Sequence, residues 1–429
     1  MPALPISQSY ARILKRELVP ALGCTEPIAI ALAAATAKKA LGDVEIDSIR
    51  VHCSGNIIKN AKSVIVPTTG DLRGIDTSAI LGAVAGDPAL GLEVLSPVEQ
   101  SHLDRTKAML QAGLCTVELL DTPSRLHILV ELEGGGHRAL AEIRDAHSNV
   151  VRIERDGERL FSKAEATEAD APRDEAAEDM ARLNLRDILT FARETSLTQL
   201  QPLLKRQAEY NYQIAQEGLR HPYGGSVGAT LLRRYDAQDV HVRARALAAA
   251  GSDARMGGCV LPVIINSGSG NQGMTCSLPL IAYAQQLHCG EEAFYRALIV
   301  SDLSALLLKR GVGRLSAFCG AVCAACGAGA GITFLTGGSD QAVADTITNA
   351  LANVSGIVCD GAKGSCAAKI ASAVDAALLG HEMAMDGLCF GAGEGLVKQD
   401  IEATIAGVGR MAAQGMAQTD EKILELMLE

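Results

Sequence analysis

Thiols are the densest source of chemistry in this chain, which carries 12 cysteines in 429 residues. Cys359 and Cys366 bracket the stretch CDGAKGSC, whose Asp, Gly, Lys, Gly and Ser are too polar for a core and include no histidine. Such a loop is flexible enough to wrap an inorganic group, and thiolates suit iron–sulfur clusters or zinc. Cys319, at the start of a Gly/Ala-rich segment, is the natural third ligand. Three cysteines around a cluster leave one iron open to substrate, as a catalytic zinc keeps an open position. Zinc is the competing reading.

The other cysteines sort differently. Cys319, Cys323 and Cys326 have the C-x3-C-x2-C spacing of radical SAM enzymes, but in a helix offsets of four and three place all three thiols on one face, as core packing does. The remaining chain also lacks the β/α alternation that those barrels need. Taken singly, Cys53, Cys115, Cys259, Cys276, Cys289 and Cys389 are read as core residues. Cys24 in GCTEP stands at a predicted helix N-terminus, a position that lowers a thiol pKa and favours thiolate, so it is a candidate acid, base or nucleophile. SGNIIKN offers Asn56, Lys59 and Asn60, the lysine being a base if desolvated and otherwise an ordinary surface residue. SDARMGG offers Arg255, whose planar fork suits a carboxylate, with Asp253 beside it. NSGSGNQG contains a G-x-G-x-x-G spacing after the apolar VLPVII. A dinucleotide site also needs a second strand ending in an acidic residue, and the segment before Glu291 and Glu292 reads as helix and turn. The same glycines, with Ser269, Asn271 and Gln272, can instead present N–H groups to a small anion or simply form a tight turn.

The elements that must position these residues follow from periodicity. Tyr10 to Val19 is helical and stops at Pro20. A second helix follows GCTEP, with Thr25 as cap, Pro27 in its first turn and Gly42 just past its end. VEIDSIRVHC and the segments 116–120, 126–132, 138–143 and 150–153 alternate as strands. From Ser162 to Arg182 the chain is acidic and Ala-rich, an exposed connector or solvated helix. Beyond it the pattern is helical with glycine-rich interruptions. The expected class is α+β: a mixed α/β domain over 1–162 holding the GCTEP loop, an acidic connector over 163–182, and a mostly helical domain over 183–429. The N-terminus lacks the basic-then-apolar order of a secretory signal, which implies a cytoplasmic protein. The uncharged stretch from Phe318 is mostly Gly, Ala and Cys, and reads as a buried helix and loop, not a membrane span. With 39 basic against 50 acidic residues, a net charge of -11 and 48% hydrophobic content, the composition gives a large core and no nucleic-acid footprint. The expected partner is a small molecule; a homo-oligomer is left open.

ALGCTEP, SGNIIKN, SDARMGG, NSGSGNQG, LSAFC and VCDGAKGSC, in this order from residue 21 to 366, together resemble the bacterial and archaeal L-cysteine desulfidase family, which is related to the alpha subunit of iron–sulfur L-serine dehydratases. The resemblance implies a 4Fe-4S lyase that converts L-cysteine and water to pyruvate, ammonia and sulfide without pyridoxal phosphate. It places the cluster on Cys319, Cys359 and Cys366, leaving out Cys323 and Cys326. Catalysis then falls to Cys24 or, second, Lys59, as the base that takes the Cα proton. Thr25, Glu26, Asn56, Asn60, Arg255, Ser269, Asn271 and Gln272 bind the amino-acid substrate, with Arg255 and the SGSGNQG loop on its carboxylate. The spacing of the last two cysteines is shorter than in the serine dehydratases, so L-serine or another β-substituted amino acid is the first alternative substrate. A non-catalytic iron–sulfur or zinc sensor is the second alternative, and a nicotinamide-dependent oxidoreductase, resting on the glycine spacing alone, the third.

Overall fold

The computed structural model describes residues 6–163 and 175–429 and is of the α+β class. The N-terminal part is a six-stranded sheet with the spatial order Cys115–Leu119, Ser48–Cys53, His127–Gly134, His137–Arg144, Val150–Arg155, Glu158–Ser162. Only the first pair is parallel; the rest is an antiparallel meander. The alternation IRVHC buries Ile49, Val51 and Cys53 on one face, toward the helix Gly74–Ala85, while the strands His127–Gly134 and His137–Arg144 pack on the Ala-rich helix Thr25–Leu41. That helix is buried almost all round, because Gly74–Ala85 covers the side that the sheet leaves open.

The second part is a bundle of helices around Gly320–Leu335, the GAVCAACGAGAG segment, which is packed between Glu291–Val312 and Cys366–Met385. Small side chains let these backbones approach closely, and Cys323 and Cys326 are 1% exposed within it. Among the single cysteines, Cys53, Cys259 and Cys276 are buried as expected. Cys115 and Cys289 are only half-buried, and Cys389 is exposed in the loop after Cys366–Met385. Of the acidic connector, residues 164–174 lie outside the described residues. Glu175–Ala181 is a helix that docks: Asp179 is buried and takes both Arg12 Nε at 3.0 Å and Nη2 at 2.6 Å from the helix Ile6–Glu17. No helix among the described residues is long and apolar enough to cross a membrane.

Two contacts join the parts at the site. Pro20–Ala21 pairs antiparallel with Val263–Ile264, so the residues leading into GCTEP lie beside those leading into SGSGNQG. The strand before the glycines is thus a two-residue antiparallel stub and not the parallel βαβ strand of a dinucleotide fold. The C-terminal helix Ala417–Leu428 returns onto Gly55–Ala61, with Leu424 against Gly55.

Candidate functional site

Three segments distant in sequence face one cavity. The first is the start of Thr25–Leu41. Cys24 is its N-cap residue, extended at φ −78°, ψ 134°, and no side chain caps the first turn. Thr25, expected as the cap, is already helical; its hydroxyl instead donates to the Gly268 carbonyl at 2.9 Å, tying GCTEP to SGSGNQG. The hub here is the Glu26 carboxylate. Its Oε2 accepts from the Cys24 thiol at 3.0 Å and its Oε1 from Asn60 Nδ2 at 3.1 Å, with His147 Nε2 3.7 Å away. Burial raises the Glu26 pKa, but His147 and the Cys24 thiol outweigh it and hold the group at about 2. Cys24 is pushed well above the ordinary thiol range, first by burial and then by the adjacent carboxylate. This corrects the expectation of a thiolate: the helix N-terminus cannot offset full burial beside an anion.

The second segment supplies Arg255, from the helix Val240–Met256, and the loop before Gly270–Leu287. Arg255 is 2% exposed; Nη1 donates to Asn271 Oδ1 at 3.3 Å, while Nε and Nη2 have no partner. Ser269, Asn271 and Gln272 line the same cavity, and Gln272 Oε1 is likewise buried without a partner. Only glycine fits at 270, where a Cβ would lie 2.4 Å from Arg255 Nε. Asp253 does not line the cavity; its Oδ2 accepts from the Gly228 N–H at 3.0 Å, and burial raises its pKa to about 6.

The third segment is made of thiols. Cys319 is the N-cap of Gly320–Leu335, Cys366 opens Cys366–Met385, and Cys359 lies in the loop before it. An antiparallel bridge, Phe318 with Val358, holds the two loops together, with Cys319 N bonded to Ile357 O at 2.8 Å and Cys359 N to Ala317 O at 2.7 Å. Gly361, at φ +96°, lets the loop lie on the backbone of Gly55–Ala61, where a Cβ would be 2.2 Å from the Lys59 carbonyl. Cys359 is lowered to about 6 because the Cys319 thiol, then Lys59 and Lys309, stabilise its thiolate against the cost of burial. Cys319, facing that thiolate and itself buried, is pushed well up, and burial raises Cys366.

Among the described residues no three His, Cys, Asp or Glu side chains converge as a single metal ion requires. Thiolates on one zinc all lie at about 2.3 Å from it. A four-iron cluster spreads its cysteines over its irons, so three thiols around one cavity fit that larger group.

Of the residues singled out in the sequence, Cys24, Thr25, Glu26, Asn60, Arg255, Ser269, Asn271, Gln272, Cys319, Cys359 and Cys366 line this cavity. Lys59 and Asn56 do not. Lys59 is buried rather than at the surface, and its amine is ion-paired with Asp420 of the C-terminal helix; Asn56 lines an adjoining pocket with Ser54 and Arg125. Three residues outside the sequence motifs also belong here. Lys309 lines the cavity and is 4% exposed, and burial lowers its pKa against the opposing pull of the Cys323, Cys359 and Cys319 thiols. Arg314 also lines it and donates to the buried Glu17 at 2.8 Å. His147, at Glu26, arrives from the turn between two strands. A lysine after the apolar run SALLL was the available signal for Lys309; nothing local marks His147.

The chain is 52% identical over 416 residues to a UPF0597 protein of Lachnoclostridium phytofermentans, covering 97% of this chain and 98% of that one. It is 48% identical to a UPF0597 protein of Treponema denticola (98% of both chains) and 38% identical to one of Aeromonas hydrophila (97% and 95%). Residues 90–425, which include Arg255, the glycine loop, Lys309 and all three cavity cysteines other than Cys24, match the serine dehydratase alpha chain, and the protein belongs to that family.

Proposed function

We propose that this protein is an iron–sulfur-dependent L-cysteine desulfidase, a lyase that eliminates sulfide from L-cysteine to leave pyruvate and ammonia. The observation that carries the reading is the convergence, on one cavity, of three thiols, an arginine with two unpartnered donors and an ionised carboxylate. Cys319, Cys359 and Cys366 would hold a 4Fe-4S cluster, which when bound supplies a Lewis acid for the departing β-substituent.

The chain's own groups account for binding and proton transfer. Arg255 Nε and Nη2 form the side-on fork that pairs with a carboxylate, and Asn271 orients it through Nη1. Glu26, ionised across the physiological range, holds the substrate ammonium. Cys24 rests as the thiol and keeps its proton on Sγ, directed at Glu26. The Cα proton therefore falls to Lys309 Nζ rather than to Cys24, since burial lowers the amine and raises the thiol. Loss of that proton and of the β-sulfur gives aminoacrylate, whose hydrolysis consumes one water and yields pyruvate and ammonia.

Membership in the serine dehydratase alpha-chain family favours L-serine as the competing substrate, with water leaving in place of sulfide. The test is pyruvate and sulfide release by anaerobically reconstituted protein given L-cysteine, with L-serine in parallel. Cysteine turnover lost on exposure to air is the expected result. Serine turnover alone would move the assignment to a dehydratase, and no turnover of either by cluster-loaded protein would refute the lyase reading.

A further inference from the structure

The substrate loop is anchored from the side away from the cavity by a buried polar network that the proposed reaction does not use. Asn266 and Ser269 exchange both backbone hydrogen bonds, at 3.1 and 3.0 Å, closing a tight turn through Ser267 and Gly268 at φ 51° and 75°. Asn266 is fully buried, and its Nδ2 donates to Asp302 Oδ1 at 3.0 Å and to the Asp302 carbonyl at 3.3 Å. Asp302 sits in the middle of Glu291–Val312, fully buried. From a third helix, Gln201–Arg220, Gln207 Nε2 donates to the same Oδ1 at 2.9 Å. Asp302 Oδ2, Asn266 Oδ1 and Gln207 Oε1 are all buried and without a partner. The second oxygen of the carboxyl and the oxygens of the two amides that bond to it lack a hydrogen, and a neutral acid supplies one where a carboxylate supplies none. Burial works in that direction, raising Asp302 to about 7 against the hydrogen bonds of Gln207 and Asn266 and the nearby Cys276 thiol.

We propose that Asp302, as the neutral acid, is a positioning residue for the substrate loop: through Asn266 it fixes the 266–269 turn, and with it Ser269, Asn271 and Gln272 against Arg255. The role of the loop rests on the lyase reading; its anchoring does not.

The test uses the full chain and two readouts. Hydrogen exchange reports the turn directly, through the Ser269 and Gly273 amides that bond to Asn266 O and Ser269 O. Asp302→Ala is expected to speed exchange there about tenfold, with Gln201–Arg220 and Glu291–Val312 unchanged, and to raise KM for L-cysteine about tenfold with kcat within about twofold. Asp302→Asn keeps an acceptor for both amides and adds a donor for the unpartnered oxygens, so it should restore wild-type exchange and KM. If Asp302→Ala does not fold, Asn266→Ala cuts the same link from the turn and should give the same local exchange. An Asn variant behaving like the Ala variant would overturn the neutral-acid role. Wild-type exchange in both Asp302→Ala and Asn266→Ala would overturn the anchoring. A wild-type protein that turns over no β-substituted amino acid would sink the lyase reading and leave the exchange result to decide the anchoring by itself.

Discussion

Replacing Arg255 by Met should separate substrate binding from stability with opposite signs. In the free protein the guanidinium is 2% exposed and makes one hydrogen bond, to Asn271, while Nε and Nη2 are desolvated and unpaired. A buried cation in that state costs stability, and an apolar side chain of similar volume is commonly neutral or stabilising. The substrate carboxylate would satisfy both orphaned donors, and hydrogen bonds to charged groups contribute about 1.5–3 kcal/mol each. Losing both should weaken amino-acid binding by at least about a hundredfold, whereas Arg255→Lys, which keeps the charge but not the fork, should lose about one such bond, roughly tenfold to a hundredfold. Thermal unfolding of the apoprotein, followed by the Tm shift on adding L-cysteine, reads both effects. The expected pattern is an unchanged or raised Tm for Arg255→Met with the ligand-induced shift abolished. Cysteamine, which lacks the carboxylate, should give wild type no shift. A ligand shift retained by Arg255→Met, or an equal response to cysteamine, would refute the assignment of this fork to the carboxylate.

Gly270→Ala should reproduce the binding defect in a folded protein, because its Cβ would meet Arg255 Nε at 2.4 Å and displace the fork; the same Tm shift measures it. Lys309→Met should lower kcat by about 10²- to 10⁴-fold in protein that keeps its cluster colour, while Cys24→Ser, which can still donate to Glu26, should retain most of the activity. Glu26 titrates at about 2 when folded against 4.5 as a free group, so its stabilisation is complete above about 4.5 and disappears as pH falls toward 2. Glu26→Gln should accordingly flatten acid unfolding by up to about 3 kcal/mol across that window, as read from urea midpoints at stepped pH. Substituting Ser for Cys359 or Cys366 should abolish the visible absorption of the reconstituted protein without unfolding it, as measured by anaerobic absorbance and circular dichroism.

Ser48–Cys53 and His127–Gly134 were legible because alternation survives in them and buries every second side chain, whereas Glu158–Ser162, exposed throughout at the sheet edge, has no buried face to mark it and was not expected. The motif residues of the site were legible as types, since an arginine between glycines and thiols flanking a polar loop have few structural uses. Their electrostatic state was not. Cys24 has the local sequence of an activated thiol, and only the Glu26 side chain folded back onto it reverses the sign. Lys59 has the sequence of a free lysine, and its partner Asp420 lies 361 residues further on. Thr25 looks like a cap because caps are local, whereas its actual acceptor is the carbonyl of Gly268. Asp302 and Lys309 stand as charges in an apolar helix, but the sequence does not say what they touch, which is decided by the helices that surround them.

The pairing of Pro20–Ala21 with Val263–Ile264 also bears on the order of events during synthesis. A nascent chain that has emerged as far as the meander already carries the GCTEP loop, yet it has neither the partner strand nor any of the three loop thiols. Cys319 acquires its bridge only after Val358 is made, and Lys59 meets its partner only after Asp420 is made. Assembly of the cavity therefore follows the synthesis of Cys366, and under the proposed cluster reading any carrier that delivers a metal centre to it must act after that point rather than on the meander alone.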